Sequence, residues 1–163
     1  MNRNHARTVI RGPLLAMVVL VAFAGTALAT PASSFVGTLT SRATLAESIH
    51  FNTDAVKLQT KGSVDFVTAT VAIAAGGSSG WHSHPGIVLV SVVSGSLTFY
   101  DAACVGTVYA AGSSFVESGV TPGLVRNTSA TVAASVLATY LVLEGTPNSA
   151  LRVDAANPGC AQS

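Results

Sequence analysis

The chain has 163 residues, of which only 9% are charged, and a formal net charge of +1; an average soluble domain is roughly 25% charged. Three of its eight basic residues, Arg3, Arg7 and Arg11, lie near the N-terminus, and no basic run or stripe follows them. The electrostatic attraction that nucleic-acid binding depends on is therefore missing, and nucleic acid is not an expected partner.

In chain order, the arginines are followed by LLAMVVLVAFAG, an apolar stretch too short to span a bilayer comfortably. Ala27-Leu28-Ala29 then supplies the small-x-small pattern that a signal peptidase cleaves. Residues 1–29 are expected to be a secretory signal, with no membrane association after cleavage; the alternative is an uncleaved anchor. About 134 residues remain, a usual size for one domain with one core. They are mildly acidic, and rich in Val, Thr, Ala, Ser and Gly. Val and Thr favour strands and Gly marks turns, so an all-β domain is expected.

Residues 30–50 read as an N-terminal tether and lead-in. TPASSFVGTLT (30–40) is polar and shows no period, while Thr44 and Glu47 have the spacing of a helix capping box in a run too short to trust. Residues 51–163 read as a barrel domain with a C-terminal tail. AVKLQT (55–60) alternates and predicts a strand, VDFVTATVAIA (64–74) predicts a long one, and AGGSSG (75–80) a turn. IVLVSVV (87–93) is nearly all apolar, as expected of a strand buried on both faces. Shorter strands are expected at 97–100, 106–110, 114–117 and 124–127. A long one follows at 131–143 and a last one at 150–155. Short strands at regular spacing with Gly/Pro punctuation predict a sandwich or barrel.

Cys104 and Cys160 are the two cysteines. In an exported chain they are expected to form a disulfide that fastens the tail.

GWHSHPG (80–86) carries the chemistry. Side chains at i and i+2 of a strand share a face, so His82 and His84 point the same way and could grip one divalent ion. Such a pair alone is more often merely hydrogen-bonded. Its frame adds to the signal. Gly76, His82, His84 and Gly95 fall in register with the first motif of the cupin family, G-x5-H-x-H-x3-E-x6-G. Gly112 and Asn127 fall in register with the second, G-x5-P-x-G-x2-H-x3-N. Over residues 55–145 the sequence thus resembles the cupins, and GWHSHPG resembles small exported bacterial cupin-domain proteins. The resemblance implies a double-stranded β-helix, the cupin-type jelly-roll barrel. It also leaves open a homodimer, since cupins commonly pair through sheet edges.

The departures matter as much as the matches. Val88 stands where the first motif has its metal-binding glutamate, and Gly123 where the second has its histidine. Ser118 and Val120 replace the proline and the glycine that follows it. Two imidazoles alone make a weak site, so another group must complete the shell if a metal such as Fe, Mn, Zn, Cu or Ni is bound. Glu117 is the best substitute by position, with capping of a surface turn as its bland alternative; His50, Asp65 and Asp101 are remoter options.

Trp81 is expected either to wall a ligand pocket or to cover a barrel end. Tyr100, Tyr109 and Tyr140 read as core. Ser83 lacks an acid–base partner and AGGSSG lacks the lysine of a phosphate loop. Asn127-Thr128-Ser129 fits the glycosylation triplet but is discounted in a bacterial setting.

Three functional readings follow. The first is an exported cupin binding a small molecule or divalent metal at the barrel mouth. The second is a metal-dependent oxygenase or isomerase using His82, His84 and Glu117. The third is a structural or interaction module that holds no metal.

Overall fold

The computed structural model describes residues 29–162. The expected signal segment, Ala29 apart, lies outside them. The chain runs β1 (Ser33–Leu45), β2 (His50–Asn52), β3 (Lys57–Gln59), β4 (Val64–Ser78), β5 (His82–Ser83) and β6 (Ile87–Ser94). It continues through β7 (Ser96–Tyr100), β8 (Gly106–Ala110), β9 (Ser114–Ser118), β10 (Leu124–Arg126), β11 (Ala134–Leu143) and β12 (Val153–Asp154). A single 3-10 turn, Asn148–Ala150, is the helical element among the described residues, and no helix there is long and apolar enough to cross a membrane.

The main sheet has the order β8-β7-β10-β4-β11-β6-β9, with β1 also on β4, and it curls into a nearly closed barrel. The curl originates in β4. From Val64 to Ile73 this strand pairs with β11 on one side and β1 on the other, whereas its far end at Ser78 pairs with Arg126 of β10. It crosses from one wall to the other at Gly76, whose φ is +71°, and Gly77, where a Cβ would lie 2.7 Å from the Ser34 carbonyl oxygen. Such a corner favours glycine. AGGSSG is therefore mostly a bend within a continuous strand, not the separate turn its composition suggested.

Two further expectations are corrected. Ser33–Leu45 is a strand, not a tether; it pairs with β4 along nearly its whole length but is exposed on both faces over most of it, so it carries no hydrophobic period. β6 is buried on one face only. Val88, Val90 and Val92 enter the core while Ile87 and Leu89 are 39% and 45% exposed, because nothing covers the outside of the barrel wall. Inside, those valines pack with Val71, Ile73, Leu97 and Phe115 and with Val125 and Val136.

Polar ties close the ends. Asp65 accepts from the Thr44 hydroxyl (2.7 Å) and the Gly145 amide (3.0 Å) and pairs with Arg42, joining β1, β4 and the turn after β11. Asn127 is 1% exposed. Its amide nitrogen donates to the Ile73, Ala74 and Val132 carbonyls and its oxygen accepts from the Ser129 amide. It locks the corner and is closed to a glycan. Cys104 and Cys160 form the expected disulfide, a bond that belongs to an oxidising compartment.

Candidate metal centre

β5 is only two residues long and is held by three neighbours. It pairs with β12 through Val153↔Ser83 and Asp154↔His82. The His82 amide donates to the Gly123 carbonyl (3.0 Å) and the His84 amide to the Gly119 carbonyl (3.0 Å). Strand alternation then turns both imidazoles into the barrel, 5% and 4% exposed, with ring centroids 4.8 Å apart and planes nearly perpendicular.

The third side chain comes from β9. Phe115 is a core residue, and two positions on, on the same face, stands Glu117, 9% exposed. Its Oε2 lies 3.0 Å from Nε2 of His84, and Oε1 lies 3.8 Å from Nε2 of His82. One ligand atom from each of the three residues lies within 4.8 Å of the others, a group that could hold a metal ion. Glu117 is therefore not a turn cap at the surface. In the register of β6 and β9 its direct partner is Val88. The carboxylate missing at position 88 is thus matched by one on the adjacent strand, on the same inner face.

The other vacant position is closed. Gly123 bridges to His82, and a Cβ on it would lie 2.6 Å from Cε2 of Phe99. Phe99, stacked on Phe115 with centroids 5.2 Å apart, takes the space a fourth ligand would need. The remoter candidates are all engaged elsewhere or turned to solvent. Asp65 is bound by Arg42, Thr44 and Gly145; Asp101 accepts from the Ala103 and Val105 amides in its own turn; His50 is exposed in β2.

Backbone carbonyls fix the tautomers. Nδ1 of His82 lies 2.9 Å from the Gly80 carbonyl oxygen and Nδ1 of His84 lies 2.6 Å from that of Leu151. A carbonyl only accepts, so each Nδ1 carries a proton, and each Nε2 is the ring nitrogen turned toward Glu117. Burial lowers the His82 pKa, and the nearby Glu117 charge offsets only part of that. Oε1 of Glu117 is buried and has no hydrogen-bond partner. Orientation of a ligand histidine through its second nitrogen is the usual support of a metal site.

Beside the three side chains lies a cavity of about 40 Å³, also lined by Tyr140, Arg152 and apolar residues of the core. Tyr140 packs edge-on to His84 with ring centroids 5.5 Å apart, and burial, then the Glu117 charge, raises its phenol pKa. Arg152 donates through Nη2 to the Ser79 carbonyl and pairs with Asp154. Sequence reasoning had placed Tyr140 in the core and passed over Arg152. One signal was available for Arg152, as a charge within an apolar stretch of a chain poor in charge.

Trp81 does not line this cavity. Adjacent to His82 in an extended segment, it faces the opposite way and is fully buried with Leu124, Cys160 and Tyr100. Its indole N–H donates to the Gln162 carbonyl (3.0 Å). It covers a barrel end beneath the disulfide-tied tail.

No protein-family model matches the chain, and no curated protein does. Solved structures do. A cupin-like protein from Thermotoga maritima is 13% identical, with a TM-score of 0.49, covering 56% of this chain and 65% of that one. An uncharacterised Klebsiella pneumoniae protein with a double-stranded β-helix domain is 18% identical, with a TM-score of 0.46, covering 68% and 86%. A predicted oxalate decarboxylase from T. maritima is 20% identical, with a TM-score of 0.42, covering 51% and 83%. With its strand order and its one-sided barrel wall, the chain is a nearly closed all-β barrel of the double-stranded β-helix type.

Proposed function

We propose that this is an exported cupin-fold protein that holds a divalent transition metal on His82, His84 and Glu117 and offers it to a small-molecule ligand. One observation carries the reading. Two imidazole nitrogens and a carboxylate converge in one buried space, with one ligand atom of each within 4.8 Å of the others. A proton shared between His84 and Glu117 would satisfy their 3.0 Å contact but leave Oε1 of Glu117 without a hydrogen-bond partner. A cation reached by all three answers each of them.

Two neutral imidazoles and one carboxylate suit Fe, Mn, Zn, Cu or Ni. Three protein ligands leave positions open, so an ion held there would supply Lewis-acid or redox activation. This chain's own residues set the rest: the Gly80 and Leu151 carbonyls aim the rings, and the apolar wall limits water. The adjoining 40 Å³ has room for about three waters and not for an organic molecule. Export is supported by the disulfide and by the character of residues 1–29.

Metal analysis of protein purified without a histidine tag tests the reading. Near-stoichiometric metal that falls away in His82→Ala and in Glu117→Gln is expected. Wild-type protein that takes up none of the five metals at micromolar concentration overturns it.

A further inference from the structure

Behind the metal centre lies a second, larger chamber of about 320 Å³, partly open to solvent between β1, β4 and the Asn148–Arg152 segment. It shares Phe35, Val71, Tyr140 and Arg152 with the small cavity, so those four side chains form the partition between the two. Its size reaches the range of small-molecule sites, whereas the inner cavity falls far below it.

The chemistry of its wall is one-sided. Phe35, Leu39 and Val71 supply apolar surface, and no carboxylate lines it. Its polar side chains are Tyr140, Asn148 and Arg152. The Asn148 side-chain oxygen already accepts from Nη2 of Arg42, 2.8 Å away, so what it can offer a ligand is its N–H groups. Tyr140 makes its ring contact with His84, and its hydroxyl has no protein partner among the described residues. Arg152 brings a positive charge, with one Nη on the Ser79 carbonyl and the other on Asp154. A chamber that is part apolar and whose polar side chains all offer donors, one of them an arginine paired with Asp154, can receive an acceptor-bearing carboxylate.

We propose that this outer chamber binds a small organic monocarboxylate, its apolar body against Phe35, Leu39 and Val71 and its head toward Tyr140, Asn148 and Arg152. The assignment extends the metal reading without depending on it, because no metal ligand lines the chamber. It also places the route to the centre beneath β1, past Tyr140.

Gly37 permits a clean test. It lines the chamber, and a Cβ built on it meets only Val71 Cγ2, at 3.9 Å, so a larger side chain can grow into the space. 3-Phenylpropionate and its uncharged counterpart 3-phenylpropan-1-ol are titrated by calorimetry into wild type, Gly37→Leu and Arg152→Gln. Each is used both metal-loaded and chelator-treated, with circular dichroism to confirm folding. The carboxylate is expected to bind both forms of wild type and the alcohol at least tenfold more weakly. Arg152→Gln should weaken the carboxylate about tenfold or more. Gly37→Leu should abolish binding while its metal content stays at the wild-type level. Absence of carboxylate binding to wild type overturns the proposal, as does binding that survives Gly37→Leu. Binding confined to the metal-loaded form and unchanged in Arg152→Gln also overturns it, by placing the head on the metal, and leaves the metal reading standing. Carboxylate binding by wild type that takes up no metal sustains this assignment and removes the other.

Discussion

Removing the Cys104–Cys160 bond gives the prediction with the best-defined magnitude. The two cysteines are 56 residues apart in sequence. Closing a loop of that length takes about 14 cal/mol/K from the unfolded chain, or about 4 kcal/mol at 25 °C. The native contacts at the bond do not need it. The Ala155 amide donates to the Trp81 carbonyl (2.9 Å), the Trp81 indole to Gln162, and Asn157 to the Cys160 and Gln162 carbonyls. The loss should therefore fall on the unfolded state. Replacing Cys104→Ser together with Cys160→Ala should lower the urea midpoint by about 2 M, taking a slope of about 2 kcal/mol/M for a domain of this size. Trp81 is the sole tryptophan and is fully buried, so its fluorescence follows the transition directly. Before urea is added, its emission should match wild type. A midpoint shift below about 0.5 M, or red-shifted emission in the absence of urea, would refute the assignment of the effect to the unfolded chain.

Other expectations concern the barrel and its ends. Thr44 first, then the Gly145 amide and Arg42, hold the Asp65 carboxyl below its ordinary pKa against the opposing effect of burial. The stability that follows is present above the unfolded pKa near 3.9 and is lost as pH falls through the lower folded value. Urea midpoints measured from pH 5 to pH 2 should fall more steeply for wild type than for Asp65→Asn, and parallel curves would contradict this. Asn127→Ala strips buried carbonyls of their donor and should cost about 3 kcal/mol by urea unfolding; a loss under 1 kcal/mol would show that the corner holds without it. Gly123→His should destabilise by about 1–3 kcal/mol through its clash with Phe99, and Phe99→Ala should relieve part of that. Strict additivity in the double-mutant cycle would mean that the two side chains do not meet.

Most of the barrel was legible because its walls alternate or are β-branched. Residues 64–74, 97–100 and 106–110 all fall within strands. β1 escaped because a strand exposed on both faces leaves no period to read. β6 was read as buried on both sides because its outward positions carry Ile87 and Leu89. That the two histidines share a face was legible from the i, i+2 rule, and their weight as candidates from the cupin-like glycine frame around them. Glu117 was named from its position at the end of SFVE, near the vacant histidine place of the second motif, and Phe115 two residues earlier marks the inner face it shares. What no local pattern contains is the register that sets Glu117 opposite Val88, or the turn of chain that brings Arg152 beside His82 and Tyr140. Glu117 and Val88 are 29 residues apart and Arg152 and His82 are 70 apart, contacts fixed only when the barrel closes.

That register has a kinetic side. The imidazoles stand on a segment bonded to β12, Gly123 and Gly119, but the carboxylate rides on β9, five residues long and paired in the main sheet with β6 alone. Outermost strands fray more readily than enclosed ones. Brief peeling of β9 would carry Glu117 away while both rings keep their aim, turning a three-toothed clasp into a two-toothed one. Escape of any captive ion would then be timed by amide exchange at residues 114–118.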